Sequence, residues 1–137
     1  MFVSRETDYA LRTLRELSCD TPTSVKNIAE RECITVPIAY KVALKLEKGG
    51  LVKSVRGAKG GYILAKPADR FTILDVYRIM EPDSLIAKCL HHSYDCPMND
   101  DKNSCAVQKE LARIQDVLFA EMQRYSMADV LNGGTDR

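Results

Sequence analysis

The order of caps and breakers across residues 24–65 leaves this chain few folds to choose from. Ser24 stands as an N-cap before VKNIAERE, where Val25, Ile28 and Ala29 share one face. After Cys33-Ile34, Thr35 caps a further helix with Pro37 in its first turn, where the missing N–H costs nothing. That helix has Ile38, Val42 and Leu46 as its apolar stripe, flanked by Ala39 and Ala43, and Gly49-Gly50 stops it after Lys48. Two short apolar runs follow, LVKSV and GYILA, around the glycine-rich tip Arg56-Gly57-Ala58-Lys59-Gly60. A hairpin directly behind two short helices joined by a tight connection predicts a winged helix-turn-helix.

The flanking sequence extends this plan. Over residues 4–17, Tyr9, Ala10, Thr13, Leu14 and Leu17 fall at helical spacing, and Thr21-Pro22-Thr23 ends the run. A fourth helix begins in FTILDV, with Ile73, Val76, Tyr77 and Met80 on one side, and stops near Glu81-Pro82. The chain is then polar and irregular as far as Ser104. Cys105 opens a long helix in which Val107, Leu111, Ile114, Leu118, Met122 and Tyr125 recur every three or four residues. A stripe that long on a 137-residue chain calls for a partner surface, and a second copy is the expected one. The expected fold class is mainly α with a small β-hairpin wing. Residues 1–81 form the winged helix-turn-helix and 82–104 a cysteine-rich sensor loop. Residues 105–131 supply the long C-terminal dimerisation helix and a short last helix, and 132–137 a flexible tail.

Charge indicates what the winged half meets. Residues 1–66 carry a net +5 and residues 67–137 a net −4, within a total of +1. Residues 35–66 hold seven bases against one acid, Glu47, the electrostatic footprint expected for a polyanion. Double-stranded DNA is the expected partner. Thr35, Pro37, Ile38, Tyr40 and Lys41 would reach bases or backbone in the major groove. Lys45, Arg56 and Lys59 would reach phosphates or the minor groove. A phosphate-binding loop is excluded at GAKGG, which matches neither nucleotide fingerprint and opens a strand.

The remaining chemistry lies in KCLHHSYDCPMNDDKNSCAVQ, with three cysteines and two histidines. No run of 18 apolar residues exists and the N-terminal stretch is charged, so a cytoplasmic protein without membrane association is expected. In a reducing compartment, clustered thiols are metal ligands or redox groups more often than structural bridges. Three readings stay open: an iron–sulfur cluster, a zinc site completed by a histidine, and a thiol–disulfide switch. No CxxC pair is present, which weighs against zinc. His91 and His92 are adjacent, so at most one faces any common site. Cys33 is expected to pack as a small apolar residue and Cys19 to end the first helix. An enzyme is not expected: Cys89 with a neighbouring histidine has the ingredients of a nucleophile, but no oxyanion-type turn accompanies it.

MFVSRETDYALRTL, LVKSVRGAKGGYILAKP and the three-cysteine loop before a long helix resemble the Rrf-two family of winged-helix transcription regulators, which includes IscR, NsrR and RirA. The resemblance runs to about Leu131 and rests chiefly on SVRGxxGGYxL. It implies a homodimeric DNA-binding protein whose operator affinity is controlled by an iron–sulfur cluster, [2Fe–2S] or [4Fe–4S], sensing iron, redox state or nitric oxide. It maps three ligands onto Cys89, Cys96 and Cys105, and a fourth onto Asp8 of the partner subunit or onto a histidine. Six residues separate Cys89 from Cys96 and eight separate Cys96 from Cys105, longer than the five-and-five spacing of IscR-like members.

Overall fold

The computed structural model describes residues 2–99 and 104–134; of the segments expected from sequence, part of the sensor loop and the end of the tail lie outside the described residues. Helix α1 (Arg5–Arg15) starts where the Ser4 side chain accepts from Thr7 N–H. Helices α2 (Val25–Glu32) and α3 (Val36–Lys48) are capped in the same way by Ser24 and Thr35. Strands β1 (Val52–Val55) and β2 (Gly61–Leu64) pair antiparallel, with Val52 opposite Leu64 and Val55 opposite Gly61. Helix α4 (Ile73–Met80) opens on a reciprocal capping box between Thr72 and Asp75. Then come α5 (Ala106–Gln123) and α6 (Met127–Leu131).

The expected winged helix is present. Ala10, Leu14, Ile28, Ala39, Val42, Ala43, Leu46, Leu51 and Val76 pack in one core and are all nearly or wholly excluded from solvent. These are the stripes of α1, α2 and α3, closed from below by β1 and α4. The wing is fastened to the helices through Thr23, which exchanges two backbone hydrogen bonds with Tyr62 at 2.9 and 3.0 Å. Gly61 sits at φ +154°, and a β-carbon there would lie 2.2 Å from the Thr23 carbonyl oxygen, so the second glycine of GG permits this closure.

Two boundaries differ from the sequence reading. Helix α1 ends at Arg15, four residues before Cys19, because the chain turns at once to place Leu17 in the core. Cys33 is exposed rather than packed: it is the left-handed C-cap of α2 at φ +53°, a conformation that directs the residue out of the turn. At the other end, Met127 N–H donates to the Phe71 carbonyl at 2.8 Å and Met127 is buried, so the chain beyond α5 returns to the winged domain. Residues 132–134 close α6 with backbone hydrogen bonds. Among the described residues no helix is long and apolar enough to cross a membrane.

One polar cluster sits inside this frame. The Glu32 carboxylate, fully buried at the end of α2, accepts from Arg15 Nε and Nη2, each at 2.6 Å, and from Arg12 Nε at 3.1 Å. Arg12 also donates to the Glu32 carbonyl. The Arg15 hydrogen bonds lead in drawing the Glu32 pKa down to about 2, against the opposing cost of burial. Glu16, whose carboxyl neighbours the Glu32 carboxylate, is pushed up instead by that neighbour. A depressed carboxyl pKa contributes stability above its ordinary value of 4.5, which is lost as pH falls through about 2. Glu32→Gln is therefore expected to cost about 2 kcal/mol at neutral pH. In urea titrations at fixed protein concentration, the gap from wild type should stay level above pH 5 and close progressively below it.

Candidate functional site: nucleic-acid interface and cysteine loop

Thr35 caps α3 by accepting from Ile38 N–H with its side-chain oxygen, which leaves its O–H free to donate. Pro37 and Tyr40 are exposed beside it, Tyr40 at 51%, together with Val36. Ile38 turns partly inward against the core. The start of α3 thus offers a convex, mixed surface of the kind that enters a major groove.

Lys41 and Lys45 lie one turn apart on α3 and both meet the Glu6 carboxylate of α1. Their hydrogen bonds, that of Lys41 first, lower the Glu6 pKa. The two lysines assigned to DNA from sequence are thus already paired within the chain. Glu6 was missed at that stage because its partners stand 35 and 39 positions away and only the packing of α1 on α3 joins them. Arg56 and Lys59, at the wing tip, are exposed, and among the described residues neither has an ion-pair partner.

The cysteine loop lies on the opposite end of the chain's course, against α5. Cys89 is in a single 3-10 turn, Lys88–Leu90; Cys96 follows in irregular chain; Cys105 is the N-cap of α5. All three thiols are free and half-buried. Cys105 makes no side-chain cap bond, which leaves its Sγ uncommitted at a position where Ser, Thr, Asp or Asn would normally serve the helix. Among the described residues no three His, Cys, Asp or Glu side chains come together closely enough to hold a metal ion. The thiols are therefore three candidate donors carried on one segment, not a closed cage within one chain.

Asp8, assigned as a fourth ligand, is exposed on α1 and pairs with Arg12 at 3.4 Å. Through Arg12 it adjoins the Glu32 cluster at the end of α2. Of the two histidines, His91 is engaged: its Nδ1 accepts from Ser93 N–H at 3.3 Å and meets Ser93 Oγ at 2.7 Å. That leaves Nε2 as its free ring nitrogen. His92 is exposed.

Comparison with known proteins agrees with the winged-helix fold. Residues 3–133 match Rrf2, described as an iron-dependent transcriptional regulator. The chain belongs to the Rrf2 family. It is similar to CymR, the global cysteine regulator of B. subtilis, with 27% identity, a TM-score of 0.77 and 99% of each chain covered. It is similar also to IscR of T. potens, with 26% identity, a TM-score of 0.73, and 98% and 89% of the two chains covered. Protein aau3 of Rhizobium meliloti (strain 1021) is 28% identical over 134 residues, 96% of this chain and 85% of that protein. This Rrf2 protein is a winged-helix DNA-binding transcription regulator, and its family and fold are those of regulators rather than enzymes.

The Glu6 pairings set an expectation for DNA affinity. Exposed ion pairs add little to stability, so Glu6→Gln should leave unfolding nearly unchanged. It frees two cations at the edge of α3, so affinity for duplex DNA at low salt should rise. The slope of log affinity against log salt should steepen by about 1 to 2, measurable by fluorescence anisotropy over a salt series.

Proposed function

We propose that this Rrf2 regulator works in the cytoplasm as a homodimer on a palindromic duplex operator, with an iron–sulfur cluster on its loop setting operator affinity. Helix α5 carries the dimer part of the reading. It runs for 18 residues without one buried side chain, and Val107, Ile114 and Val117 are 67%, 43% and 58% exposed. An apolar stripe of that length is covered when the same helix of a second copy lies along it. Two winged domains held by such a seam match half-sites about one helical turn apart.

The loop supplies the ligand part. Cys89, Cys96 and Cys105 are sulfur donors on a segment irregular enough to wrap a cluster, which thiolates hold best. Three donors leave one position open, for Asp8 of the partner subunit, with His91 Nε2 or His92 next in line. The family's description as iron-dependent and the likeness to IscR support iron. When bound, the cluster, [2Fe–2S] or [4Fe–4S], supplies a centre sensitive to iron supply, redox state or nitric oxide. The protein's part is mechanical. In the reading where Asp8 is drawn to the partner's loop, Arg12 keeps Glu32 and so α1 remains tied to α2, moving the helix-turn-helix with it. Coupling of about 1 to 3 kcal/mol changes operator affinity by roughly 5- to 150-fold. On the DNA side, Thr35, Pro37, Ile38 and Tyr40 meet the major groove, Lys41 and Lys45 exchange Glu6 for phosphate, and Arg56 and Lys59 enter a neighbouring minor groove.

A second reading keeps the dimer and the DNA surface but uses the same thiols as a disulfide or zinc switch. The likeness to CymR, a cysteine regulator, favours it.

Anaerobically purified protein decides between them. Broad visible absorbance with matched iron and acid-labile sulfide, lost in Cys96→Ser and weakened in Asp8→Ala, is expected. A colourless, iron-free protein would move the assignment to the thiol or zinc switch, and an unaltered spectrum in Asp8→Ala would move the fourth ligand elsewhere. For the wing, Arg56→Ala is expected to weaken operator binding and reduce the salt slope by about 0.9 while the dimer sediments unchanged. Undiminished affinity would remove the wing from the interface.

A further inference from the structure

The backbones of Cys89 and Cys105 are joined to one pair of side-chain amides, and that of Cys96 to the main chain of the same asparagine. Cys105 N–H donates to Asn99 Oδ1 at 3.1 Å. Asn99 Nδ2 donates to Gln108 Oε1 at 2.6 Å, and Gln108 Nε2 donates to the Cys89 carbonyl at 2.8 Å. Asn99 N–H donates to the Cys96 carbonyl at 3.0 Å. The partners settle the orientation of both amides. Turning Asn99 over would set its NH2 against the Cys105 N–H, and turning Gln108 over would set its oxygen against the Cys89 carbonyl.

This is not the usual way to start a helix. Gln108 is the third residue of α5, where a capping-box glutamine reaches back to the N–H of the N-cap residue. Here Asn99 takes that N–H, and Gln108 is directed outward to Asn99 and Cys89. The N-cap side chain, the Cys105 thiol, makes no cap bond. Where the network meets a cysteine it meets the backbone, and all three thiols stay free. A helix start serving stability alone would use the N-cap side chain, worth about 1 kcal/mol.

We infer that Asn99 and Gln108 are positioning residues that hold the backbones of Cys89, Cys96 and Cys105 in a fixed relation while leaving their thiols available for the sensing chemistry. This rests on the reading of the loop as a sensor, and it holds whether the thiols take a cluster or a disulfide. The amide pair lowers the cost of bringing the cysteines to a common ligand, because their backbones are held beforehand.

The test uses full-length, reduced, metal-free protein and iodoacetamide, with the alkylation rate of each cysteine read separately by peptide mass. Cys19 and Cys33, exposed in the winged domain, serve as internal references. Asn99→Ala removes side-chain links to Cys105 and Gln108, and is expected to raise alkylation at Cys105 and Cys89 by about three- to tenfold, the effect of one hydrogen bond on a local opening. Gln108→Glu keeps the acceptor for Asn99 but has no donor for the Cys89 carbonyl. It should raise the rate at Cys89 alone. Gln115→Ala, which removes only the bond from Ile86 N–H, should leave all three unchanged. Unchanged rates in both amide variants would overturn the inference. So would an equal rise at all three cysteines in both, which is what simple fraying of α5 produces. A colourless native protein would instead count against the cluster alone, so the two failures are separable.

Discussion

The buried carboxylate of Glu32 is the constraint around which the DNA-binding half is organised. It stands at the end of α2, where a helix leaves its last carbonyls without partners; Arg12 of α1 donates to the Glu32 carbonyl, and Arg12 and Arg15 donate to the carboxylate. An isolated buried carboxylate costs several kcal/mol, so this one can persist only with both arginines in place. The pairing ties α1 to the end of α2, and Thr35 caps α3 two residues beyond Cys33. Cys33, forced into the left-handed region just past Glu32, makes the turn between the two helices.

The second half of the chain is built on a different economy. Helix α5 is nowhere buried, and the loop before it has one turn of 3-10 helix among the described residues. Such chain cannot satisfy its backbone through regular structure, and side chains take over. Gln115 serves the Ile86 N–H, His91 the Ser93 N–H, and the Asn99–Gln108 pair the cysteine backbones. This half meets the winged domain where α4 packs on α5, at the rings of Tyr77 and Phe119 and with Arg78 over Phe119, and where Met127 returns to Phe71 and the core. The wing, by contrast, is fastened to the helices through Gly61 and Thr23.

Much of this was legible in the sequence where a signal is local. Ser24, Thr35 and Gly49 are caps and stops that act within one turn, and α2 and α3 lie where they predict. The stripes of α1 and α3 are buried as their spacing requires, because a period of 3.6 residues has only one way to face a core. The glycine-flanked tip of the wing was readable for the same reason. The cysteines could be picked out by type and clustering, and family resemblance supplied their expected role. What escaped was every pairing between residues far apart along the chain: Glu6 with Lys41 and Lys45, Glu32 with Arg12 and Arg15, Asn99 with Gln108. Cys33 was misjudged because burial of a small thiol depends on backbone conformation, and a left-handed C-cap has no signal when the residue is not glycine.

The sequence by itself determined the order of the elements, the winged architecture, the basic polarity of the first half and the chemistry available in the loop, because caps, periodicity and residue type act over a few positions. Tertiary structure alone decided which cations are free and which are spent on an acid, where Asp8 stands, and which polar side chains hold the cysteine backbones. Those outcomes depend on distances between segments that sequence spacing does not encode. Only packing brings α1 over α3 and lays the loop on α5.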